Sequence, residues 1–279
     1  MPAMSGSEQH GADRLANCSA DFPLLTEAQQ GQSLHYLDNA ATTQKPRAVI
    51  AAISECYQEY YATVHRGLYP LAEEATRRYE QARERVAGFV GATSPRQLIF
   101  TRSTTEAINM VAYGWARTHL SAGDHIWVTR MDHHANLLPW QRICRERGAR
   151  LRVIELREDG TLDWPAVEGL FDRHTRLIAL CHVSNVLGTV NPVQEICEQA
   201  ALRGIPVLVD AAQSVAHMPV DVEALGCDFL AFSAHKMYGP SGIGALYARP
   251  ERLAEMEPLL VGGGMVDRVT LDDSSWADY

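Results

Sequence analysis

From residue 98 onward, short apolar runs alternate with longer stretches whose apolar residues recur at helical spacing. Seven runs have strand length: Leu98–Thr101, His125–Thr129, Leu151–Glu155, Leu177–His182, Val207–Asp210, Phe229–Ser233 and Ile243–Ala248. Helical spacing fills 105–120, 136–147, 164–172 and 192–203 between the first five. Upstream, Pro46 opens a helix over 47–61. A second helix over 71–90 carries Leu71, Ala75, Tyr79, Ala82, Val86, Phe89 and Val90 on its apolar side and stops at Gly91. Several strand runs (LIAL, PVLV, DFLAF) are apolar without interruption, which suits strands buried on both faces. The pattern predicts an α/β fold, a mostly parallel seven-stranded sheet with helices on both faces. In such sheets ligands sit beyond the carboxyl ends of the strands, so the residues following each strand are where chemistry is expected.

Composition narrows the function classes. The chain has 279 residues, 46% of them hydrophobic, enough for a substantial core. With 25 basic and 34 acidic residues its formal net charge is −9, which argues against nucleic acid and anionic membranes as partners. No apolar stretch approaches the roughly twenty residues that span a bilayer. Residues 1–33 read as a polar N-terminal segment, a mobile tail with one short helix and no apolar region of a signal peptide. Cysteines at 18, 56, 144, 181, 197 and 227 show no C-x-x-C pair, the pattern of free thiols in a reducing cytoplasm.

Five strand-end segments carry candidate chemistry, each with a plainer reading beside it. In FSAHKMYGPSGIG, Lys236 follows a buried strand and precedes a glycine-rich turn, where a partly desolvated amine can attack an aldehyde. Alone it reads as a surface lysine beside a turn; Ser233, His235 and Gly242 in the same loop, with Asp210 upstream, reverse that reading. The loop lacks the Gly-Lys-Ser/Thr ending of a nucleotide loop and leads into a strand, so neither nucleotide motif fits. In VLVDAAQS, Asp210 ends an apolar strand and either caps the next helix or pairs with a cation. The pyridinium nitrogen of pyridoxal phosphate (PLP) would be such a cation, with Gln213 in reach of the ring hydroxyl. TRSTTEAIN opens a helix with hydroxyl residues and reads both as a capping box, Ser103 with Glu106, and as a phosphate site. In MDHHANLLPW one of two histidines could stack on a cofactor ring and move protons, or simply start a helix. No metal-binding spacing is present, so no metal is expected. SNVLG offers Asn185 to a ring oxygen or a substrate carboxylate, and LDNAATT and VHRG are polar clusters or mere turns.

Taken together and in order, LDNAATTQKP, VHRG, TRSTTEAINMVA, HHANLLPW, HVSNVLGT, VDAAQS, FSAHKMYGPSGIG and GGG resemble the cysteine desulfurases of the SufS and CsdA type, within the class V aminotransferase fold. The match runs over roughly residues 34–276, and the combination is far more specific than any piece. The resemblance implies the large domain of a fold type I PLP-dependent transferase. It implies Lys236 as the Schiff-base lysine, Asp210 as the pyridinium partner, His133 stacked on the ring and catalytic with Lys236, and Gln213 near the ring oxygen. Thr104, Thr105, Ser233 and His235 would hold the phosphate, while Asn185, Asn39, Ala40 and His65 would border the substrate.

The implied activity converts L-cysteine to L-alanine and passes the sulfur to a cysteine persulfide, for iron–sulfur cluster assembly or sulfur trafficking. A selenocysteine lyase acting on L-selenocysteine, a class V aminotransferase, and a non-catalytic remnant are the alternatives. The implied partners are a second copy of the chain and a sulfur-acceptor protein, in the cytoplasm. In that family the persulfide cysteine and an arginine for the substrate carboxylate lie in a C-terminal domain beyond the point this chain reaches. The expected organisation is therefore 1–33 polar segment, 34–262 PLP-binding large domain and 263–279 the start of a connection, in a truncated or fragmentary member. The missing domain would leave apolar surface uncovered near 258–266. Ala211 stands where relatives often have glycine, a mild departure.

Overall fold

A computed structural model describes residues 18–26, 34–164, 166, 169 and 171–277. The chain divides into two compact units: Met1–Glu80 with Ala234–Ser241, and Gln81–Ser233 with Gly242–Tyr279. Most of the polar segment expected over 1–33, and part of the helix expected over 164–172, lie outside the described residues.

The larger unit is built on seven strands: β1 (Leu98–Thr101), β2 (His125–Thr129), β3 (Arg150–Ile154), β4 (Thr175–Cys181), β5 (Val207–Asp210), β6 (Phe229–Ser233) and β7 (Gly244–Ala248). They form one sheet in the order β1-β7-β6-β5-β4-β2-β3. Only β7 runs against its neighbours, β1 and β6; the other pairings are parallel. Six strands therefore end along one edge of the sheet, with β5 at its centre.

The continuous apolar runs have a direct structural cause. Successive side chains in a strand point to opposite faces, and both sets are buried here. Leu177, Ala179, Leu208, Phe229 and Ala231 share one core with Ala107, Ile108, Trp115, Trp140 and Ile143 from helices. Ile178, Leu180, Val207, Val209 and Leu230 point the other way and are equally buried. The helix Val193–Ala201 packs on β5 with Val193, Ile196, Cys197 and Ala200 buried. Burying a large apolar side chain contributes on the order of 1.5–3 kcal/mol, so two faces of such residues give this sheet its stability.

The expected helices form with local modifications. Residues 104–119 run as Thr104–Met110, a π-helical stretch Val111–Ala116, and Arg117–His119. The stretch before Leu138–Arg147 begins as a short 3-10 turn, His134–Asn136. Residues 47–60 are α-helical over Arg47–Glu55 and π-helical over Cys56–Tyr60, and Pro70–Phe89 ends before Gly91. A small antiparallel pair not foreseen from the pattern, β8 (Val266–Val269) and β9 (Ser274–Trp276), lies within the 263–279 stretch. Leu260 and Val261, in the region expected to show uncovered apolar surface, are exposed.

Candidate active site

Three clusters form at the carboxyl ends of the parallel strands in the larger unit. The first joins β6 to the helix that follows β1. Ser103 caps this helix, accepting from the Glu106 N–H at 3.2 Å, while the Glu106 carboxylate accepts from the Arg102 N–H. The capping box expected from the sequence thus closes one residue earlier than its usual reciprocal bond. Ser233, the last residue of β6, accepts the Thr104 N–H at 2.7 Å, and the two hydroxyls lie 2.6 Å apart. Thr105 is exposed on the same turn. Gly244 makes this convergence possible: a Cβ there would fall 2.6 Å from the Phe232 carbonyl oxygen and 2.9 Å from Ser103 Cα.

The second cluster surrounds Asp210. This residue is 5% exposed at the end of β5, and its Oδ1 accepts from the Ala212 N–H at 2.9 Å. Gln213, 6% exposed, directly precedes the short helix Ser214–His217. The His182 N–H donates to the Asp210 carbonyl at 2.9 Å, extending the β4–β5 pairing by one step. Beyond His182, the Ser184 hydroxyl accepts from the Val186 and Leu187 N–H groups. These bonds shape a tight loop that carries the half-buried Asn185.

The third cluster follows β2. The exposed His133 caps the His134–Asn136 turn, with its Nδ1 accepting from the Ala135 N–H at 3.1 Å. An accepting Nδ1 carries no proton, so the neutral ring holds its proton on Nε2. The residue before it, Asp132, was not singled out from the sequence. Its carboxylate takes hydrogen bonds from Thr129, Asn136 and Cys181 and feels the negative charge of Asp210. Nothing in the sequence but its position before the two histidines could have drawn notice to it, because its most distant partner is 49 residues away.

The smaller unit organises the lysine loop. Lys236 is half-buried at the end of the 3-10 turn Ala234–Lys236, three residues past Ser233 in the chain. The carbonyl of His235 is held by the Thr43 N–H (2.9 Å), the Thr43 hydroxyl (3.0 Å), the Thr42 hydroxyl (3.1 Å) and Lys45 Nζ (3.0 Å). Thr43 Oγ1 also accepts from the Tyr238 N–H at 2.9 Å, so it grips the loop on both sides of Lys236. Burial lowers the His235 pKa, helped by the positive charges of Lys236 and Lys45. Thr42 and Thr43, from the motif read as a possible turn, and Lys45 just after it are thus the residues that fix this loop. Asn39 and Ala40 lie exposed in the turn just before them, where the Ala41 and Thr42 N–H groups bond the Asp38 carbonyl. His65 adopts a left-handed φ of 68°, with its Nε2 2.7 Å from Glu80.

Chemically, the Asp210 region suits a cation. The negative charge of Asp210 raises the Asp132 pKa, and a positively charged group placed beside them would ease that repulsion. A protonated pyridine nitrogen is one such group. The paired hydroxyls and helix start at Thr104 and Ser233 suit an anion such as a phosphate. Among the described residues no group of three or more His, Cys, Asp or Glu could hold a metal ion, and no helix is long and apolar enough to cross a membrane.

Known proteins share this sequence and architecture. The cysteine desulfurase of Klebsiella pneumoniae subsp. pneumoniae is 53% identical over 256 residues, covering 92% of this chain and 63% of the relative. That of Serratia proteamaculans is 53% identical over 252 residues, covering 90% and 62%. The chain therefore spans somewhat under two thirds of the length of these curated relatives. Among solved structures, the Escherichia coli cysteine desulfurase CsdA superposes with a TM-score of 0.85 at 40% identity, covering 94% of this chain and 65% of that one. The apo cysteine desulfurase of Thermococcus onnurineus NA1 gives 0.87 at 40% identity, covering 100% and 66%. The aminotransferase class-V pattern matches residues 35–279, which takes in every described strand and both flanks of the lysine loop. With pattern, identity and architecture in agreement, the chain belongs to the class-V aminotransferase family.

Proposed function

We propose that this chain is the cofactor-binding part of a cysteine desulfurase, which takes sulfur from L-cysteine and leaves L-alanine. The observation that carries the reading is Asp210: a carboxylate 5% exposed at the end of the central strand, close enough to Asp132 that its negative charge raises the Asp132 pKa. A carboxylate held at that strand end is placed to pair with a positively charged group, a protonated pyridine nitrogen among them. The cysteine desulfurases among the relatives, about half identical in sequence, support the substrate class.

The residues fit PLP, which when bound supplies an aldehyde to engage the substrate amine and a pyridinium ring to draw electrons from its Cα. Asp210 keeps the ring nitrogen protonated, and Gln213 and Asn185 serve the ring oxygen or the substrate carboxylate. Thr104, Thr105, Ser233 and His235 hold the phosphate. Lys236 would hold the aldehyde group and would be the base that takes the Cα proton. His133 would stack on the ring and offer the proton on Nε2 to the substrate amine or thiol. Asn39, Ala40 and His65 border the substrate.

Sulfur transfer needs a thiolate, which attacks the substrate sulfur, becomes a persulfide and leaves the carbon skeleton to take up a proton as alanine. Cys144, Cys181, Cys197 and Cys227 are buried and do not suit that task. The thiolate, the acceptor protein and a second copy of the chain are proposed as partners, in the cytoplasm and toward iron–sulfur cluster assembly.

The test is a titration of the purified chain with PLP, followed by visible absorbance, and then addition of L-cysteine or L-serine. A saturable absorbance change that L-cysteine alters, and that Asp210→Asn weakens while unfolding stays cooperative, supports the reading. A chain that PLP does not colour overturns it.

A further inference from the structure

The Asp132 carboxylate is enclosed although the residue as a whole is only half-buried. Oδ2 accepts from the Thr129 N–H at 2.6 Å and the Thr129 hydroxyl at 2.9 Å. Oδ1 accepts from Asn136 Nδ2 at 3.1 Å and from the Cys181 N–H at 2.7 Å. Asn136 is itself fully buried and accepts from Trp140 Nε1 at 2.9 Å. One side chain therefore joins the end of β2, the far end of the 129–136 turn and the end of β4. His133 is the next residue, held between Asp132 and the Asn136 it grips. Cys181 stands opposite Asp210 in the β4–β5 register, so the same carboxylate also ties the histidine turn to the strand pair that carries Asp210.

An acid at this place is not explained by stability alone. Burial, joined by the negative charge of Asp210, pushes the Asp132 carboxyl up to about 6, against the pull of its hydrogen bonds from Thr129 and Asn136. A neutral residue would avoid that cost. Only a carboxylate, however, presents acceptors on both sides. An asparagine amide would turn its NH₂ toward either the Thr129 or the Cys181 N–H and leave a buried donor unmet. The geometry is bought with electrostatic strain, as expected where one orientation of a neighbouring group matters.

We infer that Asp132 is the positioning residue for His133. It locks the turn so that the imidazole is presented in a single orientation, with Nδ1 toward the Ala135 N–H and the proton on Nε2. Asp132 touches no reacting atom and acts through the turn. The inference rests on the proposed role of His133 toward PLP, but the geometry of the turn exists without the cofactor.

The test compares the unmodified chain with Asp132→Asn and Thr129→Val, first without PLP. Nitrogen-15 NMR of the imidazoles reads the His133 tautomer. One Nε2–H tautomer is expected in the unmodified chain, and a mixture or exchange-broadened signal in Asp132→Asn. Thr129→Val, which removes one of the four donors, is expected to give a smaller change of the same kind. Ile143→Val, a core variant, is the control that lowers stability without moving the His133 signal. With PLP added, Asp132→Asn is expected to alter the circular dichroism induced in the cofactor while affinity falls by no more than about tenfold, the size of one lost hydrogen bond. A His133 signal in Asp132→Asn identical to that of the unmodified chain overturns the inference, whatever PLP does. If Asp132→Asn does not fold, an unchanged His133 signal in Thr129→Val overturns it in the same way. Failure of the unmodified chain to bind PLP overturns the proposed function instead, and the tautomer measurement still decides the role of Asp132.

Discussion

The Ser233 hydroxyl accepts the Thr104 N–H at 2.7 Å and lies 2.6 Å from the Thr104 hydroxyl, closing a buried link between residues 129 positions apart. Ser233 ends β6 and Thr104 starts a helix, so the link sets where the helix's free N–H groups point. Ser233→Ala leaves the Thr104 N–H, in a residue 6% exposed, without its acceptor. The expected cost is about 1–3 kcal/mol in unfolding free energy, measured by urea denaturation, with a parallel loss of PLP affinity. A change under about 0.5 kcal/mol, the scatter of a neutral surface substitution, would show that the link does not carry this load.

His133→Ala in a chain extended to the length of its relatives is expected to lower alanine release on the order of 10²–10⁴-fold if the imidazole transfers a proton. His134 follows it as an exposed residue of the 3-10 turn, and His134→Ala is expected to have a much smaller effect. Alanine release is the readout, with PLP content measured on the same samples. A loss below about tenfold with PLP still bound would reduce His133 to a packing role.

The sheet was legible because its strands are buried on both faces, which writes uninterrupted apolar runs such as Leu177–Leu180 and Val207–Val209 into the sequence. The lysine loop and the Asp210 strand end were legible through residue type and spacing. The β8–β9 pair was not, because Val266–Val269 and Ser274–Trp276 are mostly exposed and carry no apolar alternation. Asp132 was hidden for a different reason. An aspartate before a helix start reads as a cap, while its bond to Cys181 depends on the sheet register. The grip of Thr43 and Lys45 on the His235 carbonyl spans about 190 residues and is likewise invisible to local pattern.

The pH dependence of stability has an identifiable contributor in His182. Burial lowers its pKa from the ordinary 6.5, and its Nδ1 has no hydrogen-bond partner among the described residues. The unfolded chain takes up this proton near pH 6.5 while the folded chain resists it. The unfolded state then binds more protons, so this contribution is intact above that pH and is lost as pH falls below it. The stability difference between the unmodified chain and His182→Gln, measured by urea unfolding from about pH 7.5 to about pH 5.5, is expected to shrink or reverse on the acid side. A difference that stays flat across the window would contradict this account.

Thiol reactivity tests the exclusion of the buried cysteines. Burial pushes the Cys144 thiol up to about 11 and Cys197 to about 12, and raises Cys181 and Cys227 as well, with the Asp132 and Asp210 charges adding to the effect at Cys181. Iodoacetamide near pH 8 is expected to label these four at least about 100-fold more slowly in the folded than in the unfolded chain, since each unit of pKa costs tenfold in thiolate. Cys18 and Cys56, exposed and half-buried, are expected to react first. Peptide mapping of a time course reads the order. Rapid alkylation of any of the four would restore it as a candidate sulfur acceptor.

The most direct measurement is the site of covalent PLP attachment. The chain is incubated with PLP, reduced with borohydride, digested and mapped by mass spectrometry. The account predicts a single major label on Lys236, lost in Lys236→Ala, with Lys45 unlabelled although burial lowers its pKa. A label on Lys45, or one spread over surface lysines and unaffected by Lys236→Ala, would contradict the assignment of Lys236 and the reading built on it.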